Sequence, residues 1–230
     1  MKKIEIDDKN KMTLKEFVNA RWNYYELDEG TLLHVAVHSG DINLVKKAIE
    51  FGAEINTQGY LRPSPLCLAY DLDIAKELIN AGADPNAITG GNNIPVTYLY
   101  KNSHLPVKEY RETLEYLISV SDIDLPGGHG YTLLLALIEK KEEDYDFFKL
   151  VIDNTKDLNK LCDNETLLFD AAEHIKNEKI FLLLAQSGID LYQKKKKGWI
   201  SITIAVRIFK KCLGRKCRSL SKKEKRMGFI

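Results

Sequence analysis

The chain has little that would support membrane insertion, metal binding or disulfide bonding. Its longest apolar runs, such as residues 133–138, have only six residues, whereas a membrane-spanning helix needs about 20. The four cysteines, at positions 67, 162, 212 and 217, are scattered, so we expect reduced thiols, and the last two have no histidine nearby to complete a zinc site. The five histidines show neither metal-ligand spacing nor a partnered nucleophile. The sequence therefore predicts no metal, no cofactor and no enzymatic activity.

The composition and the start of the chain favour a folded intracellular protein. Charged residues make up 29% of the 230 residues and hydrophobic residues 44%, which is typical of folded rather than disordered chains. The opening residues, MKKIEIDD, place acids where a signal peptide needs an apolar stretch. We expect a cytoplasmic protein, or one delivered into a host cell.

One short motif recurs along the chain. Its first position is held by threonine, serine or isoleucine, and successive copies are separated by 33, 30, 38, 34 and 34 residues. A period near 34 is the signature of a helical repeat array. The six positions are Thr31, Ser64, Ile94, Thr132, Thr166 and Ile200.

The residues around this position resemble the ankyrin repeat, whose pattern opens with TPLHxA and closes with GADVN. Residues 31–36 read TLLHVA and residues 52–56 read GAEIN; residues 64–69 read SPLCLA and residues 82–86 read GADPN. The fifth unit opens with TLLFDA at residues 166–171, while units three, four and six are more degenerate.

The resemblance implies an all-α ankyrin-repeat solenoid of about six helix-turn-helix units joined by short hairpin turns. A threonine or serine can cap the first helix of a unit, and a glycine in the left-handed conformation can end the second. We expect Asp41 and Asn177 to begin second helices. His34 matches the histidine of the family motif, and the resemblance implies that it forms structural hydrogen bonds between repeats. The units are placed near 28–57, 58–90, 91–125, 126–159, 160–193 and 194–212.

Segments outside the array are predicted at both ends. Residues 1–27 are predicted to form a helical cap, because TLKE at residues 13–16 has the form of a capping box and apolar residues follow at helix spacing as far as Tyr25. Residues 213–230 are predicted to be a basic tail. Residues 194–226 carry 14 Lys and Arg against one Glu, a balance of +13, while the rest of the chain carries −12.

Three departures from the repeat mark places where function could lie, because insertions in repeat arrays map to loops. From its opening serine to its closing glycine, unit two spans 18 residues against 21 in unit one, which predicts a shortened loop around residues 70–73. Unit three is about six residues longer than unit one, with the extra residues around 101–109. The turn before unit four contains PGGHG at residues 126–130 and lacks the lysine of a phosphate-binding loop.

The resemblance implies that the residue before each TPLH-like motif lies at a hairpin tip and contacts the partner. Tyr131 and Trp199 are large aromatic residues at this position, and the alternative is that each folds over its own neighbouring hairpin. The predicted partner-binding residues are Tyr60, Arg62, Asn93, His129, Tyr131, Glu165 and Trp199.

The sequence thus predicts a monomeric, non-catalytic scaffold that binds a protein partner through the concave surface formed by the hairpins and inner helices. Its degenerate repeats and high Lys, Ile and Asn content resemble ankyrin proteins that intracellular bacteria and large viruses deliver to host cells. The alternative function is binding of nucleic acid or an anionic membrane by the basic segment 194–226. The residues of this basic patch are Lys194, Lys195, Lys196, Lys197, Arg215, Lys216 and Arg218.

Overall fold

Pairs of short helices, each pair joined by a loop of three to five residues, make up most of the structure. The computed structural model describes residues 13–20, 22–24, 27–57, 63–88, 93–159, 167, 171 and 174–189. The chain divides into two compact units, residues 1–128 and residues 129–230. The elements of the first unit are α1 (Leu14–Asn19), β1 (Trp22–Tyr24), β2 (Leu27–Gly30), α2 (Leu32–His38), α3 (Ile42–Glu50), a 3-10 helix (Pro65–Leu68), α4 (Leu72–Asn80), α5 (Pro95–Asn102) and α6 (Val107–Val120).

The second unit repeats the same alternation of short and longer helices. A 3-10 turn (Gly128–Gly130) leads into α7 (Leu133–Glu139), which is followed by α8 (Tyr145–Asn154) and α9 (Glu178–Gln186). Here α7 packs against α8, and α8 packs against α9. Leu167, Ala171 and His174 are also helical.

In the first unit the helices form two layers. The first helices of the repeats, α2, the 3-10 helix and α5, pack side by side and form the first-helix layer. The second helices, α3, α4 and α6, form the second-helix layer. The apolar side chains between the layers are almost completely buried, and each large one contributes about 1.5–3 kcal/mol of transfer free energy. Among them are Leu33, Val45, Leu66, Leu78, Leu99 and Leu114.

The second helices α3, α4, α8 and α9 begin at carboxylate or amide caps, which confirms the predictions for Asp41 and Asn177, whereas α6 begins at Pro106 without a side-chain cap. The Asp41 side chain accepts hydrogen bonds from the N–H groups of Asn43 and Leu44, at 2.9 and 3.1 Å. Asn177 caps α9 in the same way, accepting from Lys179 N–H at 3.0 Å. These side chains satisfy backbone donors that have no partner within the helix. The caps of α4 and α8 are Asp71 and Asp144.

Residues in the left-handed conformation end several helices. Gly52, Gly82 and Gly188 have φ of 84°, 97° and 95°, which confirms the predicted helix stops. Gly40 has the same role after α2, with φ of 72°, and Lys141 takes this conformation after α7 with φ of 56°. A side chain in that region costs about 1 kcal/mol, so the lysine imposes strain that the glycine of unit one avoids.

Asparagine side chains link successive repeats. Asn56 Nδ2 donates to the carbonyl oxygen of Gly82 at 2.9 Å, and Asn56 Oδ1 accepts from the N–H of Asp84 at 2.9 Å. The Asn56 amide therefore bonds both a carbonyl oxygen and an N–H group in the turn that follows α4, the second helix of the next repeat. The same role recurs in the pairs Asn19 with Gly52 and Glu54, Asn86 with Asp122, and Asn159 with Gly188.

The N-terminal helix α1 is linked to the first repeat by the same kind of asparagine bonds that link the repeats to one another. Asn19 Nδ2 donates to Gly52 O at 3.0 Å, and its Oδ1 accepts from Glu54 N–H at 2.7 Å. The predicted capping box is confirmed, since Thr13 N–H donates to Glu16 at 2.7 Å and Glu16 N–H donates to Thr13 Oγ1 at 3.2 Å. These bonds hold the pKa of Glu16 below its usual value.

The predicted extension of that helix to Tyr25 is wrong. The helix ends at Asn19, and residues 22–24 pair in antiparallel fashion with residues 27–30. Trp and Tyr favour extended structure, and pairing in a ladder satisfies the backbone groups that a longer helix would otherwise use. A two-stranded hairpin thus lies between α1 and α2, where the sequence predicts the end of a helix.

His34 links units one and two, as the family resemblance implies. The N–H of Thr31 donates to His34 Nδ1 at 3.1 Å, so this nitrogen accepts, and Nε2 carries the proton that is donated to the carbonyl oxygen of Pro63 at 3.2 Å. Later units replace the histidine with Cys67, Thr97 and Leu135. The Thr97 hydroxyl is buried without a hydrogen-bond partner among the described residues.

The shortening of unit two lies in its first helix, so the predicted shortened loop is wrong. Three residues separate the 3-10 helix from α4, and three also separate α2 from α3. The 3-10 helix has four residues where α2 has seven, which accounts for the whole difference. Ser64 makes no capping bond to this helix, and its hydroxyl lies 3.5 Å from Cys67 Sγ.

The lengthening of unit three lies mostly in α6, which begins within the predicted region. This helix has 14 residues where α3 has nine. Its backbone departs from helical values at Tyr110, with φ of −132° and ψ of 22°. Residues 107–109 therefore form an additional turn ahead of the straight part of the helix.

We predict that Asn56→Ala lowers the free energy of unfolding by about 1–2 kcal/mol, because it removes two hydrogen bonds between repeats. Asn80→Ala is the matched control, since Asn80 is exposed in the last turn of α4. Urea unfolding followed by circular dichroism measures both. Equal stabilities of the two variants would show that the amide link contributes nothing.

Candidate protein-binding surface

The two irregular units meet at Tyr70, directly after the truncated 3-10 helix. The rings of Tyr70 and Tyr110 pack edge to face, with centroids 5.4 Å apart and an angle of 80° between planes. The Thr113 hydroxyl donates to the carbonyl oxygen of Tyr70 at 2.8 Å. Because both contacts come from α6, the longer helix of unit three covers the place that the shorter helix of unit two leaves open.

Tyr98 lies beside this junction on α5. The neighbouring residues 95–97, 99 and 100 of α5 are buried, while Tyr98 is partly exposed. Burial raises the pKa of the Tyr98 hydroxyl, and the neighbouring Cys67 and Tyr70 raise it further. Tyr98 therefore presents a phenol that is held against the protein on one side and open to solvent on the other.

Tyr70 is held in place by a side-chain hydrogen bond with Ser103. Burial raises the pKa of Tyr70, and this hydrogen bond acts in the opposite direction. The hydroxyl of Ser103 also accepts the N–H of Leu105 at 3.0 Å, so the loop between α5 and α6 is linked to the tyrosine. Leu105 itself is 46% exposed.

These residues form a partly apolar patch on the first unit, which we call the Tyr98 surface. Lys101 belongs to it, because it is exposed and follows Tyr98 by three residues on the same side of α5. The Tyr98 surface is thus defined by Tyr70, Tyr98, Lys101 and Leu105. It combines two phenols, an ammonium group and an apolar side chain, a combination that suits protein recognition.

The sequence analysis did not single out Tyr70 and Tyr98 as candidate site residues. It did identify the shortened unit two and the lengthened unit three as places to look for function. The available signal was an aromatic residue, Tyr98, at the variable position that follows the histidine position of the repeat motif.

Among the predicted contact residues, Asn93 is the one that the structure contradicts. Its side chain is 5% exposed, so it does not lie at an accessible hairpin tip. Pro63, at the corresponding position of unit two, is buried as well, whereas Tyr131 at this position in unit four stays partly exposed. Asn93 is therefore withdrawn as a contact residue.

Tyr131 is partly exposed, and its hydroxyl donates to the Glu139 carboxylate on α7. This bond links Tyr131 to the helix that follows it in the same repeat, and the residue stays partly exposed. The backbone of His129 lies in the 3-10 turn, while its side chain lies outside the described structure. The other predicted contacts, Tyr60, Arg62, Glu165 and Trp199, and the whole basic patch also lie outside it.

The described residues contain no cluster suited to a metal ion and no membrane-spanning helix. Within the described ranges, no group of three or more His, Cys, Asp or Glu side chains could hold a metal ion. No helix in the part of the chain that the structure describes is both long and apolar enough to cross a membrane. Cys67 is buried and forms no disulfide, while the other three cysteines lie outside the described residues.

Comparison with known proteins identifies the fold. The sequence profile of the ankyrin repeat matches residues 28–57. The crystal structure of the ankyrin repeat domain of Bcl-3, described as a unique member of the IkappaB protein family, aligns with a TM-score of 0.65 and 18% sequence identity. The alignment covers 82% of this chain and 88% of that chain. No curated protein sequence matches the chain.

Residues 28–57 therefore match an ankyrin repeat, and the predicted all-α ankyrin-repeat solenoid fold is confirmed. The hairpin of β1 and β2 is a local addition to it. The predicted sixth repeat, residues 194–212, lies outside the described residues. Ankyrin repeats are in general modules for protein–protein interaction.

We predict that Tyr98→Phe makes stability less sensitive to alkaline pH. The folded-state pKa of Tyr98 is raised above the unfolded value near 10, so its contribution is fully present below about pH 10 and is lost as pH rises through the folded pKa. Urea unfolding at about pH 9 and about pH 11 should show a smaller loss for Tyr98→Phe than for wild type. Identical losses would contradict the partial burial of this phenol.

Proposed function

We propose that this protein is a non-catalytic scaffold that binds a protein partner through its first-helix layer, with the Tyr98 surface as the centre of contact in the first unit. The observation that carries the proposal is the partly exposed Tyr98 side chain on a helix whose neighbouring positions are buried. Packing of the repeats needs no tyrosine there. Tyrosine is enriched in protein interfaces, and the energetically dominant contacts are often aromatic.

The contacts that hold the neighbouring Tyr70 in place favour binding at the Tyr98 surface. Tyr70 is fixed by the Tyr110 ring, by the Thr113 hydroxyl and by Ser103, so the patch loses little side-chain freedom when a partner covers it. Preorganisation of this kind increases affinity, because less conformational entropy is lost on association. Leu105, at the edge of the patch, adds apolar area that a partner can bury.

Further contact residues are proposed from the sequence. Tyr131 is an accessible aromatic residue in the second unit, and Tyr60, Arg62, His129, Glu165 and Trp199 occupy hairpin positions in the repeat pattern. We also propose from the sequence that the chain is divided into a cap at 1–27, an array at 28–212 and a tail at 213–230. A monomeric state, a cytoplasmic location and a role as an effector delivered to a host cell are parts of the proposal that composition and family resemblance support.

The basic segment 194–226 supports a second candidate function, binding of nucleic acid or an anionic membrane. Its balance of +13 is the observation in favour. Phosphate contacts weaken steeply as salt rises, whereas an interface anchored by aromatic side chains does so much less. A partner captured through this segment would therefore be released by salt and would be insensitive to substitution of Tyr98.

We predict that Tyr98→Ala weakens binding of a protein partner by about tenfold or more, since loss of a central aromatic contact typically costs at least about 1–2 kcal/mol. The partner is first isolated on the full chain, and its affinity for each variant is then measured by calorimetry. Tyr145→Ala is the matched control, because Tyr145 is a 38% exposed tyrosine in the second unit.

Circular dichroism spectra and urea midpoints establish that both variants are folded. Tyr98→Phe, which keeps the ring, should retain most of the affinity. The proposal fails if the partner binds Tyr98→Ala and wild type equally, or if Tyr145→Ala causes the larger loss.

A further inference from the structure

Two kinds of side chain link successive repeats within the first unit. In the first-helix layer, His34 of unit one donates to the carbonyl oxygen of Pro63 in unit two at 3.2 Å. Beside the second helices, Asn56 Nδ2 donates to Gly82 O and its Oδ1 accepts from Asp84 N–H, both at 2.9 Å. Repeats in an array are coupled only through their neighbours, so such links determine how far cooperative folding extends.

Unit three carries a different residue at each of these two positions. Thr97 stands at the histidine position, and its buried hydroxyl has no hydrogen-bond partner in the part of the chain that the structure describes. In unit two, Asp84 bonds the preceding amide and Asn86 follows it by two residues. In unit three, Asp122 bonds Asn86 in the same way, and the residue two positions further on is Asp124. A carboxylate accepts hydrogen bonds but cannot donate as the amide of unit one does.

The second unit is held together less firmly by its own contacts. The bond from Asn159 Nδ2 to Gly188 O is 3.4 Å long, against 2.9 Å for the corresponding bond of Asn56. After α7 the chain turns through Lys141 with φ of 56°, a left-handed conformation that Gly40 provides without strain after α2. Local openings of a protein begin where such contacts are weakest. The second unit is therefore expected to open before the first.

We propose that the first unit is a separate cooperative unit of folding, so that the second unit opens while the first stays folded. The break in cooperativity follows unit three, where Thr97 and Asp124 replace the two linking groups. The division of the chain into two compact units, between residues 128 and 129, falls at the same place. The Tyr98 surface belongs wholly to the first unit and stays formed in the opened state. Independent opening does not require that the protein binds a partner.

Hydrogen exchange followed by mass spectrometry tests the proposal on the full chain. The slowest amides of α7, α8 and α9 should exchange about tenfold or more faster than the slowest amides of α3, α4 and α6, because two linking hydrogen bonds are missing. The second unit should also lose protection at a lower urea concentration than the first. Equal rates in the two units, or faster exchange in the first, would overturn the proposal.

A variant with the amide restored tests whether the carboxylate of Asp124 causes the break. Asp124→Asn should slow exchange in α7, α8 and α9 about threefold or more and leave α3 and α4 nearly unchanged, because one hydrogen-bond donor is regained. Glu112→Gln is the matched control, since Glu112 is exposed in α6 and the same charge is removed from the same repeat. Circular dichroism establishes that both variants are folded. Equal exchange in the two variants would overturn the inference, because it would show only a response to net charge.

Discussion

No single repeat of this chain can bury its own apolar face, and the structure depends on this constraint. Each pair of short helices covers its core only by stacking on the next pair, so every device that fixes the stacking is structural. The asparagine amides supply that fixation at one edge of the first unit, with Asn56 bonding both the carbonyl of Gly82 and the N–H of Asp84. The N-terminal helix takes part through Asn19 and therefore continues the stack with the group that the repeats use.

The same constraint explains why the irregular units occur side by side. A first helix reduced to one 3-10 turn would leave the neighbouring core uncovered. The longer helix α6 covers this position, with Tyr110 packed against the Tyr70 ring and the Thr113 hydroxyl bonded to the Tyr70 carbonyl oxygen. As a result Tyr98 stands partly exposed beside a supported aromatic cluster, and a structural compensation becomes the best candidate for a contact surface. The Bcl-3 domain establishes the fold, and fold alone does not select a partner.

Much of the architecture could be predicted from the sequence because it rests on local signals. The period near 34, the caps at Asp41 and Asn177 and the left-handed glycines at 52, 82 and 188 are all encoded within a few residues. The errors arose where distant residues decide the outcome. The helix at the N-terminus stops at Asn19 because the amide and the hairpin compete with it, and Asn93 is buried although Tyr131, at the same position of the repeat, is partly exposed. The Tyr98 surface depends on contacts between residues about 40 apart, which no local pattern reveals.

The central claim is that unit three closes the gap left by unit two, and a double-mutant cycle between Tyr70 and Tyr110 tests it most directly. Urea unfolding of Tyr70→Leu, Tyr110→Leu and the double variant gives the coupling free energy between the two rings. The account predicts a favourable coupling of about 0.5–1.5 kcal/mol, as expected for a packed aromatic pair. Strictly additive effects would contradict it, because they would show that the two irregular units are independent.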